Sequence, residues 1–426
     1  MNTSTFAKTI VSHWSVIAVV AVLIYYSIFS HEFQLYWDDQ WQVINSMTND
    51  GISLKNLQTI FHSISNGQYS PINQLYYTLI HLCFGYSSLA FHIGNLLFHI
   101  FNACLVYLLA YSFIRNHFDS KKALGISFTA LLFAIHPVQV ETVCWISASK
   151  IVLSTFFYLS ALICYIQYMR NSKWQYLLAS VVSSILAMGC KEQSVIIVPC
   201  LLLFDWMLFK RNMRSLKVYI EKVYYLIPAI AIFIVTLVAN KNTGEEIIGY
   251  TIVDRFIFLC YSVFKYLLIS AIPFKLSYLY PFPFQVGEKI PMALWIYLFV
   301  ILFIGYVIYL NRRKPLLVFC TLFFILHLLP VLHVIPLPRY VVAADRYLYI
   351  PYIAFAIGLS ILSYHLYERQ RKWILYAGFL YCSYLCVYTA GYAPAWKNSD
   401  TLKEHFKEVL KKRETNLSIN FKHEKQ

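Results

Sequence analysis

LAFHIGNLLFHIFNACLVYLLAYSF, residues 89–113, contains no Asp, Glu, Lys or Arg, and its length decides what kind of molecule this is. An apolar helix of about 20 residues crosses the hydrocarbon core of a bilayer. Its polar side chains His92, Asn95, His99 and Asn102 recur at helical spacing along one stripe. Such a stripe suits hydrogen bonds between neighbouring membrane helices better than a metal site. Comparable runs lie at approximately 14–30, 122–135, 151–169, 174–190, 194–209, 218–239, 292–310, 315–333, 347–365 and 373–391. The whole chain agrees: of 426 residues 59% are hydrophobic and 13% charged, and the mean hydropathy is +0.58. Soluble domains carry roughly twice that charged fraction. The expected fold is an all-α polytopic bundle of about 11 transmembrane helices. A β-barrel is excluded, because its strands would alternate polar and apolar residues. No small-x-small cleavage site follows the first run before Tyr36-Trp37, so that run reads as a span rather than a removable leader.

The net charge of +15 is explained by loops and lipid headgroups rather than nucleic acid. Basic clusters at Arg115/Lys121/Lys122, Arg170/Lys173, Lys210/Arg211/Arg214/Lys217, Arg312/Arg313/Lys314 and Arg369/Arg371/Lys372 mark cytoplasmic loops. With Lys8 inside, the first three fall there directly. The last two follow only if the apolar segment 251–272, which carries Lys265, does not cross. It therefore reads as an interfacial or re-entrant helix. Three larger pieces then reach the opposite face. They are 31–88, with amphipathic segments near 53–65 and 72–84; the proline- and aromatic-rich 273–291; and a charged tail, 392–426. The membrane domain is 1–391. The ten cysteines show no CxxC or His/Cys metal spacing. Most read as small core residues, while Cys144 and Cys190 lie near enough to the outer face to pair.

The outer-face segments hold the unusual polar residues. YWDDQW, 36–41, places Asp38 beside Asp39, a like-charge pair that is costly unless water, a cation or a substrate uses it. HPVQVETVCWISASK, 136–150, contributes His136, Glu141 and Lys150. Glu141, Trp145 and Ser149 would share one face of a continuous helix. Lys191 and Glu192 follow between later spans, and PLPRYVVAADRYLY, 336–349, adds Arg339, Asp345 and Arg346. Lys191-Glu192 and Asp345-Arg346 also make sense as simple ion pairs at helix ends. Carboxylates beside cations at headgroup depth suit a reaction on a phosphorylated lipid, in which cations hold phosphate and a carboxylate takes a proton. No P-loop and no HExxH occurs, so ATP hydrolysis and zinc proteolysis have no support.

In order, YWDDQW, YSPINQLYY, AIHPVQVETVCWISASK, CKEQSVIIVPCLLLFDW and ADRYLYIPY resemble the transmembrane O-mannosyltransferase family with TPR repeats, of the GT-C superfamily. The resemblance covers about residues 30–360. It implies an inverting glycosyltransferase that moves a sugar from a polyprenyl-phosphate donor to an acceptor hydroxyl, protein O-glycosylation being one form of this. It further implies Asp38 or Asp39 as base, Glu141 as a second acidic position, and Arg346 on the donor phosphate. Arg339, Lys150 and Lys191 are the accompanying cations, with His136 and Glu192 as further site residues. No cofactor is required, and a carboxylate-bound divalent cation is the open alternative. No TPR repeat of about 34 residues follows the last span. The acceptor therefore stays open among protein, glycan and lipid, and the membrane between a bacterial plasma membrane and the endoplasmic reticulum. A transporter or flippase of a lipid-linked sugar, and transfer of a whole lipid-linked oligosaccharide, are the alternative functions.

Overall fold

The computed structural model describes residues 3–114, 120–241, 249–333, 341–369, 371–409 and 411. Each apolar run forms a helix: Thr3–Ile24, Ser88–Ile114, Ser120–Ile135, Ser149–Asn171, Trp174–Cys190, Ile197–Met207, Val223–Lys241, Trp295–Leu310, Pro315–Leu328, Pro351–Arg369 and Arg371–Tyr392. The only extended pairings among the described residues are isolated bridges, so the chain is an all-α polytopic membrane protein. Four segments are long and apolar enough to cross outright: Ser88–Phe113, Ile146–Asn171, Met292–Leu310 and Trp373–Trp396. A fifth, Gly125–Ile135 with Pro137–Cys144, bends by 48°. Ser12–Ile24, Trp174–Cys190, Val223–Ala239 and Pro315–Val331 are shorter apolar helices.

The Ser149–Asn171 helix is central, and it packs against Ser88–Ile114 and Trp174–Cys190. It reverses into the latter through Ser172, whose positive φ of 54° lets its N–H bond to Tyr168 O. Trp295–Leu310 buries no residue, and Phe299, Leu302 and Phe303 stand exposed on it, as a lipid-facing helix requires. Hydrogen bonds join helices where apolar contact gives no preference over lipid. His99 bonds Tyr349 OH at 2.8 Å and Ala134 O at 3.0 Å, while Asn102 donates to Val152 O at 2.9 Å. The polar stripe is thus an interhelical seam.

The amphipathic segments of 31–88 form helices Leu54–His62 and Pro71–Phe84. Gly94 and Gly189 let the second approach the membrane helices closely, because a Cβ at either would strike Tyr76 or Ile72. The helix Ile252–Ala271 packs against Trp295–Leu310. Near its start, Tyr250 OH donates to Phe284 O at 2.9 Å. In its middle, Ser262 Oγ donates to Val342 O at 3.1 Å, and at its end Tyr381 OH donates to Ala271 O at 2.9 Å. Cys144 and Cys190 are buried and free, so the pairing allowed by their positions is not made.

The opposite end is pinned by a buried ionic network. Lys222 Nζ lies 2.6 Å from Asp205 Oδ2, Tyr165 OH donates to Asp205 Oδ1 at 2.6 Å, and Arg211 bridges to Glu221 at 2.5 Å. Removing one member of such a pair leaves a buried charge, at a cost of about 3–5 kcal/mol. Lys222→Met should lower stability by about 3 kcal/mol in detergent unfolding. Adding Asp205→Asn should restore more than half of that loss; strictly additive losses would refute the coupling.

Candidate functional site

After the first helix the chain makes a short 3-10 turn, Tyr26–Ser30, and reaches the helical turn Asp39–Gln42. The two aspartates diverge there. Asp39 is fully buried: its Oδ2 accepts from Gln34 N at 2.8 Å, and its Oδ1 accepts from Ser147 N at 2.9 Å and from Ser147 Oγ. Both oxygens are occupied, so Asp39 ties the 34–42 turn to the 146–148 turn. Burial raises its pKa to about 6, against the opposing hydrogen bonds. Asp38 is partly exposed and accepts from Gln42 Nε2 at 3.0 Å. Gln42 Oε1 in turn accepts from Lys150 Nζ at 3.3 Å, and Gln68 Oε1 accepts from the same ammonium at 2.5 Å. Asp38 acts electrostatically on both Lys150 and Arg346.

The 136–150 segment is not one helix. Val140–Cys144 ends at Trp145, which is extended, and Ile146–Ala148 is a 3-10 turn before the next helix starts at Ser149. Glu141, Trp145 and Ser149 therefore do not share a helical face. The break frees the Ser147 amide to reach Asp39. Ser149 Oγ turns to Asn73 Oδ1 at 3.0 Å and Tyr77 OH at 2.7 Å, and Trp145 stacks on Trp396. Glu141, wholly buried, meets Arg346: the Arg346 backbone N donates to Oε2 at 2.8 Å, and its guanidinium bonds Oε1. Burial disfavours the Arg346 charge, but Glu141 more than compensates and holds the pKa above the usual arginine range. The guanidinium also lies over the Trp145 and Tyr347 rings.

Lys191 lies over the other side of this cluster, 6.0 Å from the Tyr347 ring centre, and Glu192 is one of the charges acting on Lys150. Asp38, Glu141, Lys150, Lys191, Glu192 and Arg346 thus gather at one end of the bundle. His136 serves the backbone: its Nδ1 accepts from Val138 N at 3.3 Å, and its ring lies against Tyr352. Arg339 lies outside the described residues. Among the described residues, no group of three or more His, Cys, Asp or Glu side chains could hold a metal ion.

Residues that sequence reasoning did not select complete the site. Gln42 and Gln68 orient Lys150. Asn66 and Gly67, both with positive φ, make the tight turn that presents Gln68, and the Asn-Gly dipeptide is the one local signal for it. Asp345 turns away from Arg346 and accepts from Tyr280 OH at 2.8 Å. Burial, followed by the Glu141 charge, raises its pKa far above the usual carboxylate range. Lys265 lies over the Tyr280 ring, which joins the Ile252–Ala271 helix to the site.

No family model and no curated protein matches the chain. Its fold is similar to that of the Archaeoglobus fulgidus oligosaccharyltransferase tethered to an acceptor peptide containing an NVT sequon. The TM-score is 0.51 at 15% identity, over 91% of this chain and 55% of that one. The chain spans about half the length of that protein. A weaker likeness, on which no argument rests, is to ArnT from Cupriavidus metallidurans bound to undecaprenyl phosphate. Its TM-score is 0.42 at 12% identity, over 93% of this chain and 77% of that one. The all-α polytopic membrane fold expected from the sequence is supported at the level of architecture.

Asp39→Asn places an amide N–H against the Gln34 or Ser147 donors and should cost about 1–3 kcal/mol in thermal unfolding. The wild-type carboxyl has a folded-state pKa near 6 against an ordinary 3.8. Its contribution to stability is therefore fully present below about pH 4 and is lost as pH rises through about 6. The wild-type minus Asp39→Asn stability difference should decline across that window; a flat difference would count against the buried titration.

Proposed function

We propose that the chain is an integral membrane glycosyltransferase that moves a sugar from a polyprenyl-phosphate donor to an acceptor hydroxyl on the extracytoplasmic or lumenal side. The observation that carries this reading is Asp38. It is a partly exposed carboxylate held by a neutral amide and faced by Lys150 and Arg346, at the end of a polytopic bundle. In the proposed reaction the acceptor O–H gives its proton to Asp38. The oxygen bonds to the anomeric carbon as the bond from that carbon to the phosphate oxygen breaks. The electron pair leaves with the polyprenyl phosphate, and a single displacement inverts the centre.

Arg346, Lys150 and Lys191 meet the charge that develops on the leaving phosphate, and Arg339 is assigned to the same work from its place in the outer-face segment 336–349. Glu141 occupies one edge of the Arg346 guanidinium, whose five N–H donors exceed what one carboxylate can take. Its role here is to aim that arginine. Asp39, with both oxygens occupied, positions Asp38 instead of serving as a second base. His136 shapes the backbone, and Glu192 balances Lys150. The reaction has no step that demands a metal, because the cations can neutralise a monophosphate; a divalent ion on Asp38 is the alternative that donor turnover with and without chelator decides. Protein O-glycosylation is the form of the reaction that the family resemblance favours.

Asp38→Asn should reduce donor turnover by about 10²–10⁴-fold, the usual contribution of a general base, without moving the unfolding temperature. Purified protein would be offered a panel of polyprenyl-phosphate sugars, and sugar release and transfer followed. Wild-type protein that consumes no donor would point to a transporter, and full activity in the folded variant would remove Asp38 as base.

A further inference from the structure

At the end of the bundle away from Asp38, four helices leave a groove of about 550 Å³ between them. They are Thr3–Ile24, Ser120–Ile135, Pro351–Arg369 and Arg371–Tyr392, each packed on the next in a ring. Chain direction fixes the place. Ser120–Ile135 runs toward His136 and Pro351–Arg369 runs away from Arg346, and the groove touches the start of the first and the end of the second. Ligand pockets commonly measure about 300–1,000 Å³. Ile17, Phe128, Leu131, Leu375 and Phe379 give this one apolar walls, and Val16, Leu375 and Phe379 stand exposed at its rim, toward bilayer hydrocarbon. Four of its polar side chains already have partners. Ser127 Oγ lies 2.8 Å from His13 Nδ1, Thr129 Oγ1 donates to Ser360 Oγ at 2.8 Å, and Tyr364 OH donates to Glu368 Oε1 at 3.1 Å. Two glycines keep the groove open. Gly125 and Gly378 line it from within helices, and a Cβ on either would meet no atom within 4 Å. Glycine inside a helix is destabilising relative to alanine, and these two do not offset that by close packing as Gly94 and Gly189 do.

We propose that this groove holds one acyl chain of an anionic glycerophospholipid from the leaflet farther from the site, with the lipid phosphate at the basic helix ends. The proposal is independent of the glycosyltransferase reading. A hydrocarbon chain suits apolar walls whose polar groups are already paired. The headgroup is selected by the sequence at the groove mouth. Lys8 precedes His13, Lys121 and Lys122 precede Gly125, and Arg369, Arg371 and Lys372 stand between Tyr367 and Ile374. Against these six cations the same stretches hold two acids, Asp119 and Glu368. Basic clusters at the ends of membrane helices attract anionic headgroups, and lysine and arginine bond phosphate oxygens directly. A zwitterionic lipid would bring its own ammonium into the cluster and lose that gain. A polyprenyl-phosphate donor would need its phosphate at Arg346, at the other end of the bundle.

Native mass spectrometry of the full-length protein released from detergent tests this, with no sugar donor present. The probes are phosphatidylglycerol, phosphatidylcholine and undecaprenyl phosphate, added at equal concentration. One phosphatidylglycerol per protein is expected, at an occupancy at least five-fold above that of phosphatidylcholine. Gly378→Phe should reduce that occupancy at least five-fold, because it fills the groove and leaves every charge in place. Gly125→Phe, from the neighbouring helix, serves if the first variant does not fold, the unfolding temperature being the check. Arg369→Gln combined with Lys372→Gln leaves the groove in place and should bring phosphatidylglycerol down to the level of phosphatidylcholine. Equal binding of the two phospholipids to wild type, binding unchanged in the folded phenylalanine variants, or a preference for undecaprenyl phosphate would overturn the proposal.

Discussion

A buried carboxylate with both oxygens occupied sets the geometry of this site. Asp39 has no contact with solvent, and it joins two turns that lie more than a hundred residues apart in the chain. Withdrawing that group from water is tolerable only because Gln34 and Ser147 supply donors at close range. The Ser147 donors are available only because the chain leaves helical geometry at Trp145. The break in the 136–150 segment, the placement of Asp38 and the start of the central helix at Ser149 are therefore one arrangement. Moving any one of them would leave a buried polar group unpaired.

A second buried carboxylate repeats the logic across the site. Glu141 takes the backbone N–H of Arg346 as well as its guanidinium, so the arginine is fixed at two points and its remaining donors have a set direction. Asp345, the neighbouring residue, is turned the other way into Tyr280. Two pairs of adjacent charged residues, Asp38-Asp39 and Asp345-Arg346, are thus resolved alike. One member is buried against partners of its own, and the other is left at the site. Like or unlike charge matters less than which side chain the local turn buries.

What could be read from the sequence follows from the range of the interactions. Apolar runs of membrane length announce themselves locally, so the helices were legible. Lys265, in the 251–272 segment read as interfacial or re-entrant, lies over Tyr280 beside the site. The polar stripe from His92 to Asn102 was legible as a seam because four-residue spacing is itself a helical property. By contrast, the Glu141–Arg346 contact joins residues 205 positions apart, and no local pattern encodes it. The helical face imagined for Glu141, Trp145 and Ser149 failed for a related reason: the segment breaks to satisfy Asp39, a partner outside any local window. The difference between Asp38 and Asp39 is likewise tertiary, since the two are chemically identical until Ser147 selects one.

That selection also explains why two aspartates serve better than one. In the proposed reaction the general base must be reachable, yet it must not wander, and an isolated carboxylate on a loop at a membrane surface would do the first without the second. Asp39 restrains the backbone from within, and Gln42 restrains Asp38 from without through a single neutral bond that leaves its other oxygen available. Lys150 is close enough to influence Asp38, but it reaches the region through Gln42 and Gln68 rather than by direct contact. In the proposed reaction the amides would thus separate two demands that oppose each other: keeping positive charge near a departing phosphate, and keeping Lys150 out of direct contact with the group that accepts the proton.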